Sequence, residues 1–115
     1  TLLLCGGGPK EEWGRSYLKN HHMKQVKFLG QVEHQQVLEL IAESHALILP
    51  TCCYEGQPMV IAESYSVGTP VIVSDIGNAG SMVEEGKTGC LSDGEKGRMG
   101  DRRYFCRAVF CRKKL

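Results

Sequence analysis

Two glutamates, Glu55 and Glu63, stand with seven residues between them in the stretch PTCCYEGQPMVIAESYSVGTPVIVSD, which runs from Pro50 to Asp75. Pro58 falls between them and suits the first position of a helix, where its missing N–H would have had no intrahelical partner. Glu55 then lies on the loop ahead of that helix. Glu63 lies five residues past Pro58, which is ~7.5 Å further along the axis. The unpaired N–H groups of Gln57, Met59 and Val60, aided by the helix dipole, can hold a diphosphate, and the flanking carboxylates can accept hydrogen bonds from sugar hydroxyls. The same residues admit a plainer reading, in which a glutamate in the first turns merely complements the dipole and Glu55 with Gly56 is a polar loop. Glu63 adds weight to the first reading. Its neighbours Met59, Val60, Ile61 and Ala62 are apolar or small, and a carboxylate turned toward a core must find partners.

A second candidate is the run Gly6, Gly7, Gly8 and Pro9, which follows the apolar segment TLLLC. Glycines at the end of a strand permit a tight turn and close approach of a phosphate to the next helix, with Gly7 and Gly8 the positions of approach. A strand-to-helix turn with Pro9 near the first helical position explains them equally well. The dinucleotide fingerprint G-x-G-x-x-G fails, because Glu11 stands where its last glycine belongs.

The elements that must carry these residues alternate along the chain. Five apolar runs, TLLLC, VKFLG, ALILP, PVIVS and TGCLS, are separated by four segments of helical period, near 10–20, 34–44, 58–67 and 79–85. Strands that are apolar throughout are buried on both faces, and helical crossovers join parallel neighbours. The predicted fold is therefore α/β, a doubly wound parallel sheet covered on both sides, with ligands at the carboxyl ends of the strands. The loops at 6–9, 30–33, 50–57 and 74–80 form that end.

Composition is consistent with such a domain: 115 residues, 42% apolar and 23% charged, which excludes a disordered or fibrous chain. No apolar run approaches the ~20 residues of a membrane span. Residues 1–93 carry six basic and eleven acidic side chains, whereas residues 94–115 carry eight and two. The strand-and-turn pattern stops at Asp93, and the basic tail reads as a solvated end of unrelated sequence rather than a membrane or nucleic-acid helix, since Tyr104, Phe105, Ala108 and Val109 make only a short apolar face. No nucleic-acid motif accompanies it. The six cysteines include no C-x-x-C and read as reduced thiols, with Cys5 and Cys90 acting as small hydrophobes in their strands. A Cys106–Cys111 disulfide has no support in the pattern. His21 and His22 read as a solvated turn, and His45 as the end of a helix. Because a strand begins at once after Thr1, the chain is expected to start inside a longer product.

The ordered set LLLCGGGP, VKFLGQV, ALILPTCCYEGQPMVIAES, GTPVIVSDIGN and MVEEGKTG, covering nearly all of residues 1–93, resembles the C-terminal, donor-binding domain of retaining glycosyltransferases of the two-Rossmann-domain (GT-B) architecture, glycosyltransferase family 4. The resemblance implies the Rossmann-like half of a GT-B fold, incomplete at both ends, with residues 94–115 outside it. It implies that Glu55 and Glu63 are the family's paired glutamates, Glu55 facing the transferred sugar as the residue nearest the reaction and Glu63 the ribose hydroxyls. The backbone from Gly56 through Gln57 and Met59 to Val60 would meet the diphosphate, and Gln31 and Val32 would contact the base through main-chain groups.

The same resemblance implies a nucleoside-diphosphate sugar as donor, no metal or other cofactor, and a glycan or lipid-linked acceptor held by an N-terminal domain that these residues do not include. It points to polysaccharide biosynthesis at a cytoplasmic location, compatible with peripheral contact at the membrane face, and to no nucleic-acid partner. The family's Arg and Lys clamp on the diphosphate belongs upstream of residue 1. Ser81 stands where the family often has Glu, and His45 where it often has Asp. Two other readings of the chain are a non-catalytic nucleotide-binding fragment and, further off, part of a nucleotide-sugar epimerase.

Overall fold

The computed structural model describes residues 1–50 and 57–92 together with the backbone of 109–112. In chain order the elements are β1 (Leu2–Cys5), α1 (Glu11–Asn20), β2 (Val26–Gly30), α2 (His34–Ala42), β3 (Ser44–Leu49), α3 (Met59–Ser66), β4 (Val71–Ser74), α4 (Gly77–Ser81), β5 (Gly89–Ser92) and β6 (Val109–Arg112). The strands lie in the order β2-β1-β6-β3-β4-β5. Strands β1 and β2 are parallel to each other, as are β3, β4 and β5.

The strand order reverses between β1 and β3. From β1 the chain moves outward to β2, then crosses back and proceeds through β3 and β4 to β5. Right-handed crossovers that run in opposite directions put their helices on opposite faces. Side-chain register agrees: α1 meets the sheet where Gly14 abuts the Phe28 ring, and Phe28 pairs with Leu4, on the face opposite Leu3. Leu3 belongs instead to the buried cluster with Leu47, Leu49, Val71 and Val73 from the strands, Ile41 from α2, Ile61 from α3 and Ala79 from α4. Each of the Leu, Ile and Val side chains contributes about 1.5–3 kcal/mol on burial. Among the described residues the predicted burial is complete on one face and partial on the other. With α1 the sole described helix on the second face, Leu2, Leu4, Ile48 and Ile72 are half-buried.

Strand β6 was not foreseen. It runs antiparallel between β1 and β3, with Phe110 paired to both Leu3 and Leu47. Without it the parallel strands fall into two groups that share no ladder. The basic tail thus supplies one strand to the sheet, at the position where the order reverses.

Two helix ends explain why the chain turns where it does. After α3, Gly68 adopts φ +76°, its N–H bonds the Tyr65 carbonyl (3.1 Å), and the Thr69 N–H bonds the Ser64 carbonyl (2.9 Å). This pair of bonds closes a left-handed helix terminus, and Pro70 prevents continuation. The end of α1 repeats the pattern with His22 at φ +50° in the glycine position, Met23 N–H on Leu18 O and His22 N–H on Lys19 O. The expected solvated turn at His21 and His22 is thereby confirmed as an exposed helix end.

Candidate functional site

The loops after β1, β2, β3 and β4 all leave the carboxyl end of the sheet, and those after β1 and β3 flank the place where strand order reverses. Open α/β sheets bind ligands in the crevice at such a point. A hydrogen bond joins two of these loops. The Gly6 N–H donates to the Gly30 carbonyl (2.7 Å), joining the turn after β1 to the turn after β2. Both glycines have positive φ, +125° and +70°, which side-chain-bearing residues rarely adopt. From Gly30 the chain passes through Gln31 and Val32 to His34, the first residue of α2. His34 Nδ1 lies 3.5 Å from Glu63 Oε1 on α3. One path of contacts thus runs from the triple glycine to Glu63.

Helix α3 presents an uncapped N-terminus to this surface. Pro58 takes the cap position, one residue earlier than the first-helical-position reading, and among the described residues no side chain caps the helix. The Ile61 N–H bonds the Pro58 carbonyl (3.2 Å). The N–H groups of Met59 and Val60 have no hydrogen-bond partner among the described residues. Gln57 and Met59 are exposed and Val60 half-buried. Partial positive charge from these groups and the dipole faces outward, where an anion can receive it. Glu63 sits one turn further on, with its side chain 23% exposed.

The remaining expected contributors divide. Gly7 is half-buried and Gly8 exposed, and a Cβ built on Gly8 would meet nothing within 4 Å. Among the described residues no neighbour therefore demands glycine there. Pro9 lies in a turn and Lys10 caps α1, so the proline stands two residues ahead of the first helical position. Gln31 is exposed and Val32 half-buried in the loop after β2. Glu55 and Gly56, with Cys52 and Cys53, lie outside the described residues, as does Cys106 of the disulfide considered above.

His45 is not at a helix end. It is an exposed residue of β3, at the amino end of the strand and so opposite the crevice. Strand β3 starts at Ser44, whose hydroxyl donates to the Leu40 carbonyl (2.5 Å) and turns the chain out of α2. Ser81 donates its hydroxyl to the Asn78 carbonyl (2.8 Å) within α4. Cys90, read from the sequence as a small hydrophobe in its strand, is exposed on the edge strand β5, while Cys5 is half-buried and burial raises its thiol pKa. Among the described residues no cluster of three His, Cys, Asp or Glu side chains is placed to hold a metal ion.

Behind the site a buried polar network fixes α3. Ser64 is fully buried and donates to the Thr69 carbonyl (2.8 Å), and Thr69 donates through Oγ1 to the Ile41 carbonyl at the end of α2 (2.8 Å). The Tyr65 hydroxyl reaches the Met82 carbonyl (2.9 Å) and Thr88 Oγ1 (3.0 Å), locking α3 to the segment before β5. Sequence reading missed His34, whose partner is far away in the chain and is met only because α2 packs beside α3.

A mainly parallel sheet with helices on both faces and a reversal of strand order defines the class of Rossmann-like α/β domains. Comparison with known proteins gives the particular family. The family described as glycosyl transferases group 1 matches residues 1–101, and the chain belongs to it. The chain is 32% identical over 90 residues to glycogen synthase of Mycobacterium tuberculosis, covering 77% of this chain and 22% of that protein. It is 32% identical over 93 residues to the N-acetyl-alpha-D-glucosaminyl L-malate synthase of Bacillus anthracis, covering 80% and 24%. To the D-inositol 3-phosphate glycosyltransferase of Corynebacterium urealyticum it is 29% identical over 107 residues, covering 82% and 23%. The chain thus spans less than a quarter of the length of these relatives.

Proposed function

We propose that this chain is the donor-binding half of a retaining GT-B glycosyltransferase, holding a nucleoside-diphosphate sugar at the carboxyl end of its sheet. The observation that carries the reading is the uncapped N-terminus of α3 at the strand-order reversal, with Glu63 one turn along. The diphosphate lies against the N–H groups of Met59 and Val60, with Gly56, Gln57, Gly7 and Gly8 beside it. Glu63 accepts from the ribose hydroxyls, and the main chain of Gln31 and Val32 meets the base. Glu55 positions the transferred sugar. As the bond to the leaving diphosphate breaks, the sugar becomes oxocarbenium-like and negative charge grows on the phosphate oxygens. Fixed N–H dipoles stabilise that charge without reorganising. The reading needs no metal.

The family description and the relatives' names support transfer rather than epimerisation. The acceptor, a glycan or lipid-linked molecule by analogy, binds to a domain beyond these residues, at the cytoplasmic side of the membrane. The short span relative to homologues favours a second statement: the 115 residues alone bind donor without turning it over. In a complete two-domain homologue carrying this segment, Glu55→Ala is expected to cut turnover at least a hundredfold, the scale of one lost transition-state contact (~10²–10³), with the fold retained. Near-normal turnover would remove Glu55 from the mechanism.

A further inference from the structure

We infer that His34 is a positioning residue for the donor's ribose, acting through Glu63. The inference rests on the donor-site reading above and adds to it a residue on a different element. His34 opens α2 directly after the loop of Gln31 and Val32, and its Nδ1 faces Glu63 Oε1 at 3.5 Å. Among the described residues no other side chain bonds the Glu63 carboxylate. A proton on Nδ1, in the neutral tautomer or the imidazolium, points at Oε1 and leaves Oε2 to accept from a ribose hydroxyl.

The contact is poorly suited to a stabilising role. The His34 side chain is 69% exposed, and ion pairs in such surroundings add little to folding. The two helices are already held by Ile41 and Ile61, which share one buried core cluster, and by the Thr69 hydroxyl, just past α3, on the Ile41 carbonyl. What the pair does at the crevice end is fix the orientation of the Glu63 carboxylate. A ligand meeting a preoriented acceptor loses less entropy on binding. Ribose recognition is therefore built jointly from the start of α2 and from α3.

The test is calorimetric titration of the chain with uridine, adenosine and guanosine diphosphates and with their 2′,3′-dideoxy counterparts, repeated for His34→Ala and His34→Asn. The unaltered chain is expected to prefer the ribose form of whichever nucleotide it binds by roughly tenfold, the size of a hydrogen bond to a charged acceptor. His34→Ala is expected to erase most of that preference while leaving dideoxynucleotide affinity unchanged. His34→Asn, which keeps a donor near the place of Nδ1, restores it. A His34→Ala variant that keeps the preference, or that weakens both nucleotide forms equally, overturns the role of His34 while the donor site stands. Failure of the unaltered chain to bind any of the nucleotides, or binding without a ribose preference, overturns the reading of the site itself and the role of His34 with it.

Discussion

Replacing Thr69 by Val tests the scaffold on which Glu63 is mounted. The two side chains have nearly the same shape, so the substitution removes one hydroxyl from a residue only 4% exposed. That hydroxyl is the donor to the Ile41 carbonyl, 2.8 Å away at the end of α2. Leaving a buried acceptor short of its donor costs about 1–3 kcal/mol. The neighbouring Ser64→Ala removes the donor to the Thr69 carbonyl and belongs to the same range. Because both bonds converge on Thr69, the double variant should depart from additivity by ~0.5 kcal/mol or more. Urea unfolding is the assay: the midpoint should fall with the slope unchanged, the sign of a stability change without a change in the surface exposed. A Thr69→Val loss below about 0.5 kcal/mol, the range of neutral surface substitutions, would refute the claim that this bond holds α2 to α3.

Two further outcomes follow from the same packing. Gly89 pairs with Val71, and a Cβ there would collide with the Val71 carbonyl oxygen; Gly89→Ala should cost about 1–3 kcal/mol through forced backbone shifts, and an unfolding midpoint equal to the parent's would contradict the β4–β5 register. Burial raises the Cys5 pKa, so at neutral pH its reactive thiolate is scarcer than that of a free thiol; mass-resolved alkylation should modify exposed Cys90 well before Cys5, with Cys5 gaining rate only as pH rises through its elevated pKa.

The strands were legible in sequence because each is an apolar run bounded by turn residues; β2 spans the expected 26–30, and β1, β4 and β5 shift by one residue. Strand β3 begins two residues early because Ser44 caps the turn out of α2, a contact no periodicity announces. Helix α4 ends at Ser81 although Met82 and Val83 extend its apolar pattern, since their N–H groups close short turns onto the Ala79 and Gly80 carbonyls. Strand β6 was illegible for a different reason. Whether VFCR is strand or loose end depends on the partners β1 and β3, which are about sixty or more residues away in sequence, and local propensity carries little of that non-local choice. The candidate site was legible as backbone geometry, in the glycine turns and the start of α3. His34 was hidden because a histidine at a helix start reads as solvated until the helix carrying Glu63 is laid beside it.

The donor site is tested most directly by following the backbone amide resonances of the chain during titration with uridine, adenosine and guanosine diphosphates. The account predicts that at least one of them shifts the amides of Gly7, Gly8, Gln31, Val32, Met59 and Val60 together, and that Glu63→Gln weakens the response. Shifts confined to the opposite end of the sheet, around Ser44 and His45, would contradict it, as would no response to any of the three.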